Sequence, residues 1–454
     1  MTVDVPSPLS SATYWTSGRA EERDDVLDGL WHLRLVDGPV PTVVYVLAGA
    51  AVVVLLTRRP VRRLVISLVA AACGALVGWI FAWLVSDVWD SFGVALSVPT
   101  RLWTAATVAG VALAIANLSG RERWRTVVAA FSIVLSLLAG GLGINADVGE
   151  FPALGQLFGK TIIPPLSLDF LSTLRSHATL ADWTPPADLR MKGREGLIDI
   201  PATVSHFDAR PAVVYLPPAA LAANAPALPV LVMLSGQPGA PSNIVTSGAL
   251  PSIADAYASA HRGLAPIVVV PDQLGAPEAN PMCVDSPLGN SATYLTVDVP
   301  NWVRSHLHVL NGPRYWAIGG FSQGGTCSIQ LGAEHPELYG GILDIAGQVA
   351  PHRGSISATI KDAFGGSADR YRQSSPLALL AAGAPYPPHT LAIFAVGAKD
   401  TRFGPGSVTV AHAAAAAGMD VHTFTSPDTA HDWHTVQYAL IRALRLFGAE
   451  WSLR

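Results

Sequence analysis

The chain has 454 residues, which is too long for one ordinary domain and suits two. Hydrophobic residues make up 50% of it and charged residues only 14%, a balance that favours a membrane protein over a soluble one. The formal net charge of −4 is too small to indicate a nucleic-acid partner. The three cysteines are too few for a disulfide-rich scaffold.

The first third of the chain contains four stretches without a charged residue. They span residues 38–57, 64–86, 102–120 and 126–146. Each is about as long as the ~20 residues that a helix needs to cross a bilayer. The second stretch carries Trp79 and Trp83 near one end, where interfacial anchors are usual. Because four such runs in succession are hard to bury in a soluble domain, we predict four transmembrane helices.

The connecting loops predict the orientation of these helices. Basic loops at 58–63 and 121–125 join the first pair and the second pair, whereas Asp87 and Asp90 lie between the pairs. The positive-inside rule places the basic loops in the cytoplasm. Both termini and everything after residue 146 are then expected outside the cell membrane. No N-terminal signal peptide is evident, since the first apolar run begins near residue 38.

These features divide the chain into four predicted parts. Residues 1–37 form an extracytoplasmic segment, 38–146 the transmembrane region, 147–195 a proline-rich connector and 196–454 a catalytic domain. The apolar residues of the connector could lie on the membrane surface or pack against the next domain. They are Phe158, Ile162, Ile163, Leu166, Phe170, Leu171 and Leu174.

From about Gly196 onward, short apolar runs of strand length alternate with helical patterns. The predicted strands are 212–216, 229–234, 266–270, 315–319, 341–345, 391–396 and 421–425. The predicted helices are 252–262, 294–309, 326–334 and 407–417, followed by a final helix at the carboxyl end. This alternation predicts an α/β-hydrolase domain with a mostly parallel sheet and helices on both faces. The active site of such a sheet lies at the carboxyl ends of its strands.

A candidate nucleophile follows the predicted strand that ends at residue 319. Residues 319–325 have the sequence GGFSQGG, and a helical pattern follows them. Strand, G-x-S-x-G and helix together are typical of the nucleophile elbow, in which a sharp turn exposes the serine. Gly320 and Gly324 would let strand and helix pass closely, and Ser322 would stand at the tip of the turn.

A serine hydroxyl becomes a strong nucleophile only beside an imidazole that a carboxylate orients. Asp400 follows the strand predicted at 391–396, and His431 follows the last predicted strand, which gives the order Ser, Asp, His. Asp344 is a competing acid but falls inside a strand, and Asp428 lies too close to the histidine. The rival histidine is His434, one turn into the final helix.

The tetrahedral intermediate of ester cleavage also needs hydrogen-bond donors for its oxyanion. The backbone N–H of Gln323, directly after the nucleophile, is one candidate. The second follows the strand predicted at 229–234, where Gln237 is preferred and Gly236 is the alternative; Pro238 cannot donate. No metal or other cofactor is expected, because His431, Asp432 and His434 have no further His/Cys cluster to complete a coordination sphere.

These motifs resemble the esterase D and mycolyltransferase branch of the α/β-hydrolases. The resemblance covers about residues 195–450 and includes S-G-Q after a strand, G-F-S-x-G-G, an acid after a Gly turn (G-x-x-D), H-D-W, and the helical stretch at 298–303 that precedes the nucleophile strand. It implies a carboxylic ester hydrolase or acyltransferase with Ser322, Asp400 and His431 as its triad. Mycolyltransferases carry a glutamate as the acid and lack a multi-helix anchor. The four-helix region is similar to that of membrane-bound actinobacterial esterases, some of which act on aminoacylated lipids.

Two cysteines are predicted near the nucleophile. Cys327 lies one turn beyond Ser322, and Cys283 lies in the loop after the strand at 266–270. An extracytoplasmic setting permits a disulfide between them, although two buried unpaired cysteines are an alternative. Asp285, in the same loop, is a candidate for substrate contact or an ordinary solvated side chain.

The sequence therefore predicts a multi-pass membrane protein that carries an extracytoplasmic serine esterase. Its expected partners are the lipid bilayer and an ester substrate, such as an acylated or aminoacylated envelope lipid. One alternative is an acyltransferase in which a lipid or sugar alcohol replaces water. Another is a catalytically idle interaction module, which would have no need for an ordered serine, acid and histidine.

Overall fold

The computed structural model describes residues 29–57, 60–90, 95–119, 122–160, 163–173, 178–387 and 389–454. The predicted N-terminal segment up to residue 28 lies outside these residues, and so do Arg58, Arg59, Arg121, Ile162 and Leu174. The described residues form two compact units. The first lies within residues 1–74, 107–146 and 151–162, and the second within 75–106, 147–150 and 163–454.

Four described helices are long and apolar enough to cross a membrane. They are α1 (Pro39–Leu56), α2 (Val61–Trp83, continued by a π-helical turn at Leu84–Val88), α3 (Val98–Leu118) and α4 (Arg123–Val148). Their apolar side chains are mostly exposed, as expected for surfaces that face lipid. In the first unit the amide of buried Asn117 donates to the Ser67 hydroxyl over 3.0 Å, which satisfies two polar groups inside an apolar region. The predicted four-helix region is confirmed as four apolar helices.

The second unit contains an eight-stranded sheet. The strands of this sheet are β1 (Arg194–Ile198), β2 (Ala212–Leu216), β3 (Val230–Leu234), β4 (Ile267–Val270), β7 (Trp316–Phe321), β8 (Gly341–Ile345), β9 (Leu391–Gly397) and β10 (Asp420–Ser426). Two short strands, β5 (Asp285–Ser286) and β6 (Gly289–Asn290), form a separate antiparallel ribbon. The order in the large sheet is β1-β2-β4-β3-β7-β8-β9-β10. In this described sheet β2 runs antiparallel to both of its neighbours, β1 and β4, and the other paired strands are parallel.

Helices connect the strands of this sheet. The short α5 (Leu154–Leu157) precedes it in the first unit; the second unit contributes α6 (Leu168–Ser172), α7 (Pro241–Thr246), α8 (Leu250–Ala260), α9 (Ser291–Thr293), α10 (Val299–His306), α11 (Gln323–Glu334), α12 (Ile356–Phe364), α13 (Ala368–Gln373), α14 (Pro376–Gly383), α15 (Gly404–Ala416) and α16 (Trp433–Glu450). A π-helical turn at Tyr294–Asp298 and 3₁₀ turns at Pro218–Leu221 and Pro313–Tyr315 complete the connections. The predicted α/β-hydrolase fold is confirmed.

The buried strands explain why the apolar runs could be recognised. Every residue of β2, β3, β4, β7 and β8 is buried. Strands covered on both faces are continuously apolar, as in other parallel sheets. Six parallel strands therefore end at one edge, and the connections after β3, β4, β7, β8, β9 and β10 gather there.

The second half of the connector packs against this sheet. Ile163, Leu166 and Leu171 are buried in the core of the second unit. Leu197 of β1 donates its N–H to Pro164 over 2.8 Å and accepts from the N–H of Leu166 over 2.7 Å. For these residues the structure favours packing against the next domain. Phe158, in the first unit, is 65% exposed.

Candidate active site

Ser322 occupies the sharp turn between β7 and α11. Its backbone has φ 57° and ψ −112°, in the left-handed half of conformational space that non-glycine residues rarely adopt. The Ser322 N–H donates to the carbonyl of Ile345 over 2.8 Å, which fixes the turn to β8. A Cβ atom on Gly320 would lie 2.3 Å from the backbone of Gly324, and one on Gly324 would lie 2.5 Å from the Leu234 carbonyl oxygen. These close approaches leave no room for a side chain at either position, which explains why residues 320 and 324 are glycine.

Asp400 and His431 meet at the same edge of the sheet. Asp400 follows β9, His431 follows β10, and Asp400 Oδ2 lies 2.9 Å from His431 Nδ1. The other carboxylate oxygen of Asp400 accepts the Phe403 N–H over 2.9 Å. Only 2% of the Asp400 side chain and 11% of the His431 side chain are exposed. A carboxylate at Nδ1 keeps the proton there and leaves Nε2 as the basic nitrogen.

Aromatic rings hold the imidazole from two sides. The rings of Phe403 and Phe321 have centroids 4.3 Å and 4.8 Å from that of His431. Phe321 directly precedes Ser322, so this packing joins the histidine loop to the nucleophile turn. Trp433 packs on the same Phe321 ring at 5.3 Å.

The competing acids have other environments. Asp344 is fully buried and accepts the Gly347 N–H over 2.7 Å. Burial raises the pKa of Asp344 to about 7, although the Gly347 hydrogen bond opposes that rise. Asp428 is exposed and forms an ion pair with Lys399 over 3.5 Å. The structure therefore brings Asp400, and neither alternative, to His431.

The two candidate oxyanion donors lie on the loop after β3 and at the start of α11. Gln323 is the first residue of α11, so helix geometry leaves its N–H without an intrahelical acceptor. A Cβ atom on Gly236 would be 3.7 Å from the Cβ of Ser322, so the loop that contains Gln237 passes beside the nucleophile. The side-chain amide of Gln237 donates to the Glu278 carbonyl over 3.2 Å.

A buried amide network connects these two donor segments. Gln273, three residues after the end of β4, donates from Nε2 to the Ser235 carbonyl over 2.7 Å and to Gln323 Oε1 over 3.0 Å. Gln323 in turn donates to Asn280 Oδ1 over 3.1 Å. Neither Gln273 nor Asn280 was predicted from the sequence. Their signal was weak: each is a polar residue in the long loop that follows a buried strand at the active-site edge.

Cys283 and Cys327 form a disulfide, with their Cα atoms 5.6 Å apart. The bond joins the loop after β4 to α11. Gln323 Nε2 lies 3.3 Å from Cys327 Sγ, so the bridge borders the amide network. Asp285, beyond Cys283, accepts the Thr293 N–H over 3.0 Å and is engaged within its own loop.

Two titratable groups, Asp90 and His352, interact with Arg402 of the acid loop. Arg402 forms an ion pair with Asp90 and donates a hydrogen bond to its carboxylate. This hydrogen bond lowers the pKa of the Asp90 carboxyl. Burial, followed by the charge of Arg402, lowers the pKa of His352. Among the described residues no group of three or more His, Cys, Asp or Glu side chains could hold a metal ion.

The sheet order, the strained serine turn and the Asp–His pair define the class of serine hydrolases with the α/β-hydrolase fold. Residues 208–447 match the sequence model of the Esterase family, and the chain belongs to that family. It is a serine ester hydrolase.

A relative of known sequence extends the similarity beyond this domain. An uncharacterised protein of Corynebacterium glutamicum is 32% identical over 362 residues, which cover 77% of this chain and 80% of that protein. The matched 77% of this chain is longer than the stretch from residue 196 to its last residue. The similarity therefore includes residues that precede the catalytic domain.

Three solved structures are among those similar to part of this chain. S-formylglutathione hydrolase from Agrobacterium tumefaciens is 19% identical with a TM-score of 0.48, covering 58% of this chain and 97% of its own. A ferulic acid esterase from Anaeromyces mucronatus is 18% identical with a TM-score of 0.43, covering 59% and 94%. MPT51 of Mycobacterium tuberculosis is 19% identical with a TM-score of 0.42, covering 56% and 97%.

Proposed function

We propose that this protein is a membrane-anchored, extracytoplasmic serine esterase that uses Ser322, His431 and Asp400 to hydrolyse carboxylic esters. The observation that carries the proposal is the buried Asp400–His431 pair at the sheet edge where Ser322 stands in its strained turn. Membership of the Esterase family supports the reaction class. The ring of Phe321, packed on His431, joins the two halves of the proposed triad.

The proposed reaction begins when Ser322 Oγ attacks the ester carbonyl carbon while His431 Nε2 takes the hydroxyl proton. Asp400 stabilises the imidazolium that results. The N–H groups of Gln323 and Gln237 donate to the oxyanion, a contribution worth roughly a hundredfold or more in rate for each donor. When the intermediate collapses, the ester C–O bond breaks and His431 gives its proton to the departing alkoxide.

The resulting acyl-enzyme is then hydrolysed. Water attacks the acyl carbonyl and gives a proton to His431 Nε2, which returns that proton to Ser322 Oγ as the carboxylic acid leaves. No other reactant is needed. The cycle restores the neutral histidine and the free serine.

We propose esters of envelope lipids, acylated or aminoacylated, as the substrate class. Four apolar helices precede the hydrolase domain, and the similarity to the Corynebacterium protein includes residues before that domain. Anchoring would keep the site within reach of membrane lipids. Turnover of small soluble esters combined with no turnover of any lipid ester in vesicles would contradict this substrate class.

The test is to label the full-length protein with a fluorophosphonate and to measure hydrolysis of p-nitrophenyl esters from acetyl to palmitoyl. Ser322→Ala should abolish labelling and lower kcat by about a millionfold, the cost of removing an activated serine. Ser357→Ala, an exposed serine at the start of α12, serves as the control and should behave as the wild type. A wild-type protein that neither labels nor turns over any ester would refute the proposed activity and favour the interaction module.

A further inference from the structure

Glu150 lies directly after the fourth apolar helix and contacts the hydrolase fold. It comes two residues after the end of α4, and its side chain is half-buried. Trp433 Nε1 donates to its Oε2 over 2.7 Å, and Asn243 Nδ2 lies 3.4 Å from its Oε1. Its backbone carbonyl accepts from the Ser247 hydroxyl over 2.7 Å. All three partners belong to the same compact unit as Glu150.

One oxygen of Glu150 therefore engages the histidine side of the site. Trp433 is the first residue of α16 and lies two positions after His431. Its indole is buried and packs on the Phe321 ring, which in turn packs on the imidazole. An indole N–H held by a carboxylate fixes the plane of the ring. The hydrogen bond to Glu150 thus restrains the aromatic cluster around His431.

The other oxygen engages the side that carries the proposed oxyanion donor. Asn243 Oδ1 accepts the Ala240 N–H over 2.7 Å, which fixes the chain where the Ser235–Gly239 loop enters α7. At the far end of α7 the Ser247 carbonyl accepts from Gln437 of α16 over 2.8 Å. Glu150 therefore adds a second connection between α7 and α16, through Asn243 and Trp433, next to the loop that carries His431.

The segment that contains Glu150 is itself anchored. Asp147, three residues earlier, accepts the Thr100 hydroxyl of α3 over 2.6 Å. Gly149 lies against Trp433, since a Cβ atom there would be 3.3 Å from the Trp433 Cβ. Burial raises the pKa of the Glu150 carboxyl, although the Trp433 hydrogen bond opposes that rise. A neutral acceptor of the same shape should consequently replace this carboxyl well.

We propose that Glu150 is a positioning residue of the esterase site, which holds the His431 loop and the oxyanion-side loop in their relative places. The segment after the fourth apolar helix is then part of the catalytic structure and more than a tether. This inference rests on the proposed function, because it assigns Glu150 to the geometry of that reaction. Glu150 does not itself contact the reacting atoms.

The experiment compares Glu150→Leu, Glu150→Gln and Trp433→Phe in the full-length protein with p-nitrophenyl butyrate. Glu150→Leu removes both acceptors and should lower kcat roughly ten- to a hundredfold, as expected for a misplaced catalytic group, while KM changes less than about threefold. Glu150→Gln keeps an acceptor and should remain within about threefold of the wild type. Trp433→Phe keeps a ring without the donor and should lose kcat as Glu150→Leu does.

The double variant Glu150→Leu/Trp433→Phe tests whether the two residues act through one contact. Its kcat should be no lower than that of the less active single variant, because the effects of two substitutions that remove the same contact do not add. Glu195→Leu removes a half-buried glutamate from the far edge strand β1 and should leave kcat unchanged.

The outcomes separate this inference from the proposed function. An active, labelled wild type with an unchanged kcat in Glu150→Leu overturns the positioning role and leaves the esterase intact. A loss in both Glu150→Leu and Glu150→Gln, with Trp433→Phe at wild-type kcat, shows a role in stability alone and also overturns the inference. A wild type that neither labels nor turns over refutes the esterase, and the positioning role fails with it.

Discussion

The carboxyl of Asp344 lies beneath the nucleophile turn without the partners that a charged carboxylate needs. Asp344 pairs in register with Gly320 across β8 and β7, and it is fully buried. Its Oδ1 accepts from Gly347, whereas its Oδ2 has no hydrogen-bond partner within the described part of the chain. Burial raises its pKa to about 7. The folded protein thus retains a proton that the unfolded chain releases near pH 4.

The sign of the resulting pH dependence follows from this raised pKa. Below the unfolded pKa of about 3.9 the carboxyl is protonated in both the folded and the unfolded protein, so its titration does not change stability. As the pH rises from that value to about 7, the unfolded chain loses the proton that the folded protein keeps, and the unfolding free energy falls progressively. Asp344→Asn removes this titration. Between pH 5.5 and 8.5 the wild type should lose about 2 kcal/mol of unfolding free energy relative to the variant. Denaturant unfolding of both proteins in one detergent measures the difference, and parallel pH profiles would contradict it.

The site residues that could be predicted are those marked by local sequence. Ser322 and Asp400 follow strands with visible apolar runs, and His431 follows β10, in which Val421 and Phe424 stand among polar residues. Parallel strands bring their carboxyl ends to one edge. Glu150 could not be predicted in this way. Its indole partner lies 283 positions away, and nothing near Glu150 in the sequence records that contact.

At the scale of elements, the buried strands could be predicted, whereas of the two edge strands of the large sheet β10 was predicted and β1 was not. β1 was missed because the sequence Arg-Glu-Gly-Leu-Ile is partly polar, as expected for a strand at a sheet edge, where only two of its five residues are buried. The helix predicted at 294–309 is a π-helical turn followed by α10, which ends at His306. The helix predicted from residue 326 begins at Gln323, because close packing against β3 requires the glycines that obscured its start.

The disulfide between α11 and the loop after β4 should contribute measurably to stability. It closes a loop of 44 residues, for which the restriction of the unfolded chain corresponds to about 4 kcal/mol, with 2–4 kcal/mol typical in practice. The double variant Cys283→Ala/Cys327→Ala should therefore have an unfolding free energy about 2–4 kcal/mol lower than the wild type, as measured by denaturant unfolding. Reductant should destabilise the wild type and leave the double variant unaffected. Equal stability of the two proteins would show that the bridge is absent or without effect.

At the scale of the whole molecule, the proposed orientation can be tested with one added cysteine at a time in a Cys73→Ser background, whose remaining Cys283 and Cys327 are joined in the disulfide and which should not label by itself. Met191 is 79% exposed in the second unit, and Arg62, which belongs to the predicted cytoplasmic loop at 58–63, is exposed at the start of α2. In intact cells a membrane-impermeant maleimide should label Met191→Cys and leave Arg62→Cys unlabelled. Permeabilised cells should show labelling of both variants, which is the control. The reverse pattern in intact cells would place the hydrolase domain in the cytoplasm and contradict the proposed localisation.

The way β1 is covered has a practical consequence for producing the hydrolase domain alone. β1 pairs with β2 on one side, while Pro164 and Leu166 hydrogen-bond to Leu197 on the other. A shortened chain that starts at residue 196 would cut β1 and bare the edge of β2. An uncovered apolar strand edge recruits other chains and leads to aggregation. A soluble form of this domain should therefore begin no later than residue 163, so that the chain supplies its own edge protection.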